Sequence, residues 1–168
     1  MRLTPATVAA ERDRLRERAP AVVPLLNDTR TALGELFDTE VDAVTDEQYR
    51  REVDRVFTDG DRAVNVAALA GLLRDLDVEG DYPGFVVDEL LGRQLASTIA
   101  GGQPLALLAE ATFHFADTRV DGAADSDTAG ADDLDAALAA GFQTRLPGWS
   151  WREGDSPFAV EPTASDDL

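Results

Sequence analysis

Residues 45–57 read TDEQYRREVDRVF, in which Tyr49, Val53, Val56 and Phe57 recur at i, i+4, i+7 and i+8 behind Thr45 and Gln48. That spacing puts the four apolar side chains on one stripe of an α-helix, and Thr45 with Gln48 three residues on is a capping box for the first turn. The period of three to four returns along most of the chain, and no run alternates in period two for long enough to build a sheet. The expected fold is therefore all-α, a bundle of six to seven helices with an acidic loop and an irregular aromatic C-terminal segment.

Each helix carries its own punctuation. Thr4 before Pro5 is an N-cap with proline at the first helical position, and the charged run to Arg18 has only Val8 and Leu15 as a thin apolar stripe, which places it on the outside. A second helix is expected from Pro20 or Pro24 to Phe37, with Leu25, Leu26, Ala32, Leu33, Leu36 and Phe37 facing inward and Asp38 to Val44 as a connection. TDGD at 58–61 stops the third helix. RAVNVAALAGLLRDL, residues 62–76, is apolar nearly all round, the pattern of a helix at the centre of a bundle, with Asn65 on the face of Leu69, Leu72 and Leu76 as a core amide. A fifth helix follows VEGDYP, packs through Leu91, Leu95 and Ile99, and ends at Gly101-Gly102. Gln103 and Pro104 open a sixth, and DDLDAALAAG is a short helix with Gly141 as its C-cap. Residues 1–141 thus form the bundle with an acidic mobile loop at 120–131, residues 142–160 an aromatic strap, and 161–168 a disordered tail.

Charge bears on the partner rather than the fold. Thirty-three acidic residues face fifteen basic ones, all arginine, for a formal charge of −18, and aspartate outnumbers glutamate by 22 to 11. The absence of lysine and the carboxylate excess resemble proteins of salt-in extreme halophiles. At about 1 M salt the Debye length is only about 3 Å, so net charge there neither forbids nucleic acid nor implies a basic partner. With no cysteine there is no thiolate ligand or thiol nucleophile. No stretch has the apolar length of a membrane span or a signal peptide, so a cytoplasmic protein without membrane association is expected.

The sharpest chemical hint is LLAEATFHFADTR, residues 107–119, where His114, the single histidine, has Glu110 four residues before it and Asp117 three after. A metal-dependent enzyme using Glu110, His114 and Asp117 is one alternative. The helical wheel turns this trio away from Leu105, Leu108, Ala109, Thr112, Phe115 and Ala116, and a di-metal bundle needs ligands from two or more helices. A solvated face is the favoured reading, and no metal or cofactor is expected. ADDLD, residues 131–135, is similar to the aspartate pairs with which prenyl-transfer enzymes hold Mg²⁺, in a stretch where aspartate is common anyway. Asp88 falls in the Leu91 stripe, where burial would raise its pKa unless it is paired or exposed.

The N-terminal arginines offer a second alternative, a nucleic-acid-binding regulator contacting phosphates through Arg12, Arg14, Arg50 and Arg51. Each has acids beside it that can pair with it. A third class rests on the strap, where Trp149 and Trp151 lie two apart with Phe142 and Phe158 flanking, either closing the bundle or anchoring a partner. With no phosphate loop or nucleophile elbow, the preferred function is a non-catalytic adaptor or assembly protein. Its candidate partner-binding residues are Phe142, Trp149, Trp151 and Phe158. The partner is an unidentified protein or a second copy of the chain.

Overall fold

The computed structural model of the chain describes residues 1–76, 87–120 and 129–149. Among them are seven helices and no strand: α1 Pro5–Glu17, α2 Ala19–Leu36, α3 Asp46–Thr58, α4 Gly60–Asp75, α5 Val87–Ala100, α6 Leu105–Val120 and α7 Ala129–Gln143. The starts follow the capping chemistry. The Thr4 hydroxyl accepts from Thr7 N at 3.2 Å, Thr45 and Gln48 close the expected box at 3.2 and 2.9 Å, and the Asp59 carboxylate accepts from Arg62 N at 3.2 Å. Each cap satisfies donors that would otherwise have no partner, at roughly 1 kcal/mol apiece.

The centre of the bundle is α7, against which α2, α3, α4, α5 and α6 all pack. Ala136, Ala137, Leu138, Ala139, Ala140 and Phe142 are fully buried, so this helix is covered on every side. The expectation that residues 62–76 would be central is corrected. Asn65 is exposed, as are much of Val64 and Leu72, while Ala63, Val66, Ala67, Ala70 and Leu73 form the inward face of α4. Small side chains explain the exchange of roles, because alanine lets neighbouring helices approach closely from all directions. Gly141 shows it most directly: it is no C-cap but lies inside α7, where a Cβ would come within 2.9 Å of Ile99 and 3.0 Å of the Ala96 carbonyl.

Two boundaries also move. α2 begins at Ala19 and runs through Pro24, whose missing N–H would have met the carbonyl of Pro20 in the solvent-facing first turn, so the interruption is cheap. Its inward stripe is Val22, Val23, Leu26, Thr29, Arg30 and Leu33, whereas Leu36 and Phe37, expected inside, are exposed as the last residue of α2 and its C-cap, beyond Gly34, the last buried position of the helix. α6 reaches Val120 and α7 starts at Ala129, so the ends of the expected acidic loop are helical and residues 121–128 lie outside the described residues. Pro83, most of the strap and the 161–168 tail lie outside them too. No helix among the described residues is long and apolar enough to cross a membrane.

Candidate functional site

The turn after α2 is built residue by residue. Thr39 N bonds to the Gly34 carbonyl at 2.9 Å and Asp38 N to the Glu35 carbonyl at 3.3 Å, the paired bonds of a Schellman ending, with Asp38 in the left-handed region at φ 50°. The returning chain lies so close to α2 that a Cβ on Gly34 would sit 2.7 Å from the Thr39 carbonyl and 3.0 Å from Val41. Asn27 then grips Val44 with both ends of its amide, at 2.8 and 2.9 Å. Val41 forms an antiparallel bridge with Trp149, and Asp42 N donates to the Gly148 carbonyl at 3.1 Å.

Arg30 is the clamp that joins these pieces. Its side chain is buried and donates to the carbonyls of Asp42 at 3.2 Å, Gln143 at 3.2 Å and Pro147, with the guanidinium 5.4 Å from the centre of the Trp149 ring. Carbonyl dipoles and a ring face satisfy the cation where water cannot. The result is a ledge from residue 35 to 44 with a fixed backbone. Outside it, Thr31, Gly34, Glu35, Asp38, Thr39, Glu40, Val41 and Asp42 line a groove of about 520 Å³, and Leu36 and Phe37 are 68% and 61% exposed.

The expected strap anchors take other roles. Phe142 is fully buried in α7, edge-on to Tyr49 with ring centroids 5.2 Å apart, and Trp149 is 4% exposed with its indole N–H donated to Gln143 Oε1 at 3.2 Å. Neither ring is free for a partner, because each closes the interior. Trp151 and Phe158 lie outside the described residues. The four arginines proposed for phosphate contact each stand beside an acid: Arg12 with Asp13 at 3.0 Å, Arg14 with Glu11 at 3.3 Å, Arg50 with Asp46 and Arg51 with Glu47 at 3.9 Å.

Glu110 is half-buried and His114 exposed on α6, while Asp117 turns toward α7. There a second polar cluster forms that the spacing along α6 does not reveal. Asp133 of ADDLD is 5% exposed and its carboxyl hydrogen-bonds to Asp88 of α5, with Asp117 and Glu89 close by. Burial, then the charges of Asp117 and Asp88, push Asp133 up to about 8, so at neutral pH it keeps its proton and acts as the donor of the pair. Asp88 is thus paired with a carboxylic acid rather than an arginine, and Glu89 N donates to its Oδ1 at 2.9 Å. Among the described residues no group of three or more His, Cys, Asp or Glu side chains is arranged to hold a metal ion.

Buried ion pairs complete the polar interior. Glu52 accepts from Arg145 Nε at 2.8 Å and Arg55 at 2.9 Å, while Arg145 also donates to the Ile99 carbonyl at 3.2 Å, tying α3 to α5 and the end of α7. Glu11 accepts from Arg74 at 2.8 Å, joining α1 to α4. The chain belongs to the family described as Domain of unknown function (DUF7984), which it matches over residues 1–162. No curated protein and no solved structure matches it.

Proposed function

We propose that this chain is a non-catalytic adaptor or assembly protein that docks a protein partner on the ledge where α2 ends. One observation carries the reading: Leu36 and Phe37, adjacent and more than half exposed, stand on a turn held from behind by Asn27, Arg30 and Gly34. A partner meeting a fixed backbone has little ordering entropy left to lose, and a large aromatic side chain is a frequent anchor of interfaces. The pairing of Arg12, Arg14, Arg50 and Arg51 with acids favours this reading over nucleic-acid binding. The same proposal places the protein in the cytoplasm and reads its lysine-free, acidic composition as adaptation to molar salt.

The test is affinity capture from a high-salt lysate with wild type and with Leu36→Ser/Phe37→Ser, whose helicity by circular dichroism should equal wild type. Proteins held by wild type should be lost from the variant. Retention of the same proteins by both rejects the ledge as the docking surface. Sedimentation velocity of the two proteins shows whether the partner is a second copy.

A further inference from the structure

We infer that the groove between residues 1–3, α1 and α4 binds a small organic oxyanion, a carboxylate or phosphate ester with a compact apolar body, through Arg2, Arg14 and Arg74. It shares no lining residue with the groove at the ledge, so the inference does not depend on the docking function. Residues 1–3 reach from α1 to α4. On α1 the Thr7 hydroxyl donates to the Arg2 carbonyl at 3.1 Å. On α4 the Met1 methyl group enters the space left by Gly71, where a Cβ would come within 2.6 Å of it. The groove so formed measures about 390 Å³, within the range of small-molecule sites.

Glu11 sets the geometry of the cations. Its side chain is buried and accepts from Arg74 through both oxygens, one of them at 2.8 Å, and from Arg14 at 3.3 Å. One carboxylate therefore orients two guanidiniums and neutralises the charge of one. Among the described residues Arg14 Nε and Nη2 and Arg74 Nε bond to no group of the chain, and Arg2 is in no ion pair. Asp75 is the second acid of the lining, so three arginines face two carboxylates. Elsewhere the balance is even or reversed: the groove between α1 and α3 sets Arg12 and Arg16 against Asp13 and Asp54, and the groove at the ledge has four acids and no base. Glu52 is shared by Arg55 and Arg145 in the same way, but there Arg145 gives a further donor to the Ile99 carbonyl and ties α3 to α5.

The chemistry of the lining selects the ligand. A guanidinium fork matches the paired oxygens of a carboxylate or phosphate, and forks already held by Glu11 lose little freedom on binding. Met1 and Leu3, 70% and 40% exposed, line the same groove, so an apolar body attached to the anion covers surface that otherwise faces water. With screening over about 3 Å at 1 M salt, only such direct contacts count. The charge of −18 on the whole chain then does not repel the ligand.

Amide NMR titrations of the full chain in 0.2 M and 2 M KCl test this, read at Thr7 and Gly71. The probes are phenyl phosphate and benzoate, with benzyl alcohol as the body without charge and inorganic phosphate and acetate as the charge without body. At least one organic oxyanion should give saturable shifts and bind at least tenfold more tightly than benzyl alcohol and than its own bodiless anion. Phenyl phosphate ahead of benzoate assigns the site to phosphate esters, and the reverse order to carboxylates. R2Q/R14Q keeps the buried Arg74 and Glu11 pair, should retain wild-type helicity by circular dichroism, and should weaken binding at least tenfold. R12Q/R51Q, which removes the same charge elsewhere on α1 and α3, and L36S/F37S at the ledge should bind like wild type. Affinity should fall with KCl through competition by chloride and persist at 2 M. No saturable shift with either organic oxyanion, affinity matched by benzyl alcohol or by the bodiless anion, equal loss in the two arginine variants, or binding that vanishes at 2 M overturns the inference.

Discussion

Arg30 and Asp133 are both charged residue types placed in the interior, and the bundle treats them in opposite ways. Around Arg30 stand the carbonyls of Asp42, Gln143 and Pro147 and the face of Trp149, groups that favour a cation without themselves titrating. Around Asp133 stand Asp88, Asp117 and Glu89, which share its sign. A buried cation can stay charged by collecting dipoles. A buried acid among acids is kept inside by holding its proton. Of the two, it is Asp133 whose charge changes with pH, releasing its proton at about 8.

The largest expected effect is on the cationic side. Arg30→Met keeps most of the side-chain volume but leaves three carbonyls without their donor, and each buried acceptor left unsatisfied typically costs about 1–3 kcal/mol. Urea unfolding followed by tryptophan fluorescence should show that loss at pH 6 and pH 9 alike. A stability equal to wild type would mean that the clamp does not hold the ledge.

Asp133 should show the contrasting pH signature. Its folded pKa, about 8, lies above the unfolded value of an aspartate, so the folded state binds the extra proton and stability falls with rising pH. The contribution is fully present below the unfolded pKa and is lost as pH passes through about 8. Stability should drop between pH 5 and pH 9 by on the order of a few kcal/mol, and Asp133→Asn should flatten that slope and exceed wild type at pH 9. An unchanged slope in the variant would assign the titration to another group.

Glu52 supplies the third case, a buried anion surrounded by cations rather than by its own kind. Glu52→Gln weakens its bonds to Arg145 and Arg55 and should cost about 1–3 kcal/mol. A measured gain would show that desolvation outweighs pairing at this position. The smallest change belongs to Asp38, exposed but left-handed at φ 50°. Asp38→Gly should raise stability by about 0.5–1 kcal/mol, read from the denaturation midpoint, through removal of the Cβ strain and of a negative charge at the helix end.

Much of the helix plan was legible because it is local chemistry. Thr4-Pro5, Thr45 with Gln48, and the 58–61 stop each specify a helix end that depends on residues within one turn. Depth in the bundle was not legible, since residues 62–76 carry more leucine than 129–143 yet the alanines of α7 are what let five helices close around it. Asp88 stood out on its own stripe and Asp133 in its own motif, but their pairing across α5 and α7 is tertiary and leaves no spacing to read. Arg30 falls in line with Val22, Leu26 and Leu33 on the α2 wheel, a signal that was present in the sequence and reads as an interruption unless a buried clamp is considered. The ledge was hidden for the converse reason: Leu36 and Phe37 continue a helical period, and their exposure follows from their place at the end of α2, beyond its last buried position.

The reach of Arg30 also sets an order of events during synthesis. Its partners Gln143 and Pro147 lie 113 and 117 residues further along the chain. At about 5–20 residues per second, α2 emerges from the ribosome on the order of ten seconds before the carbonyls that complete its clamp. Until then the guanidinium stays in water beside Leu26 and Leu33, and the first helices can pair locally but cannot lock. Pausing translation before residue 143 should therefore leave the N-terminal half open to protease, and release of the last few turns of α7 should close it in a single late step.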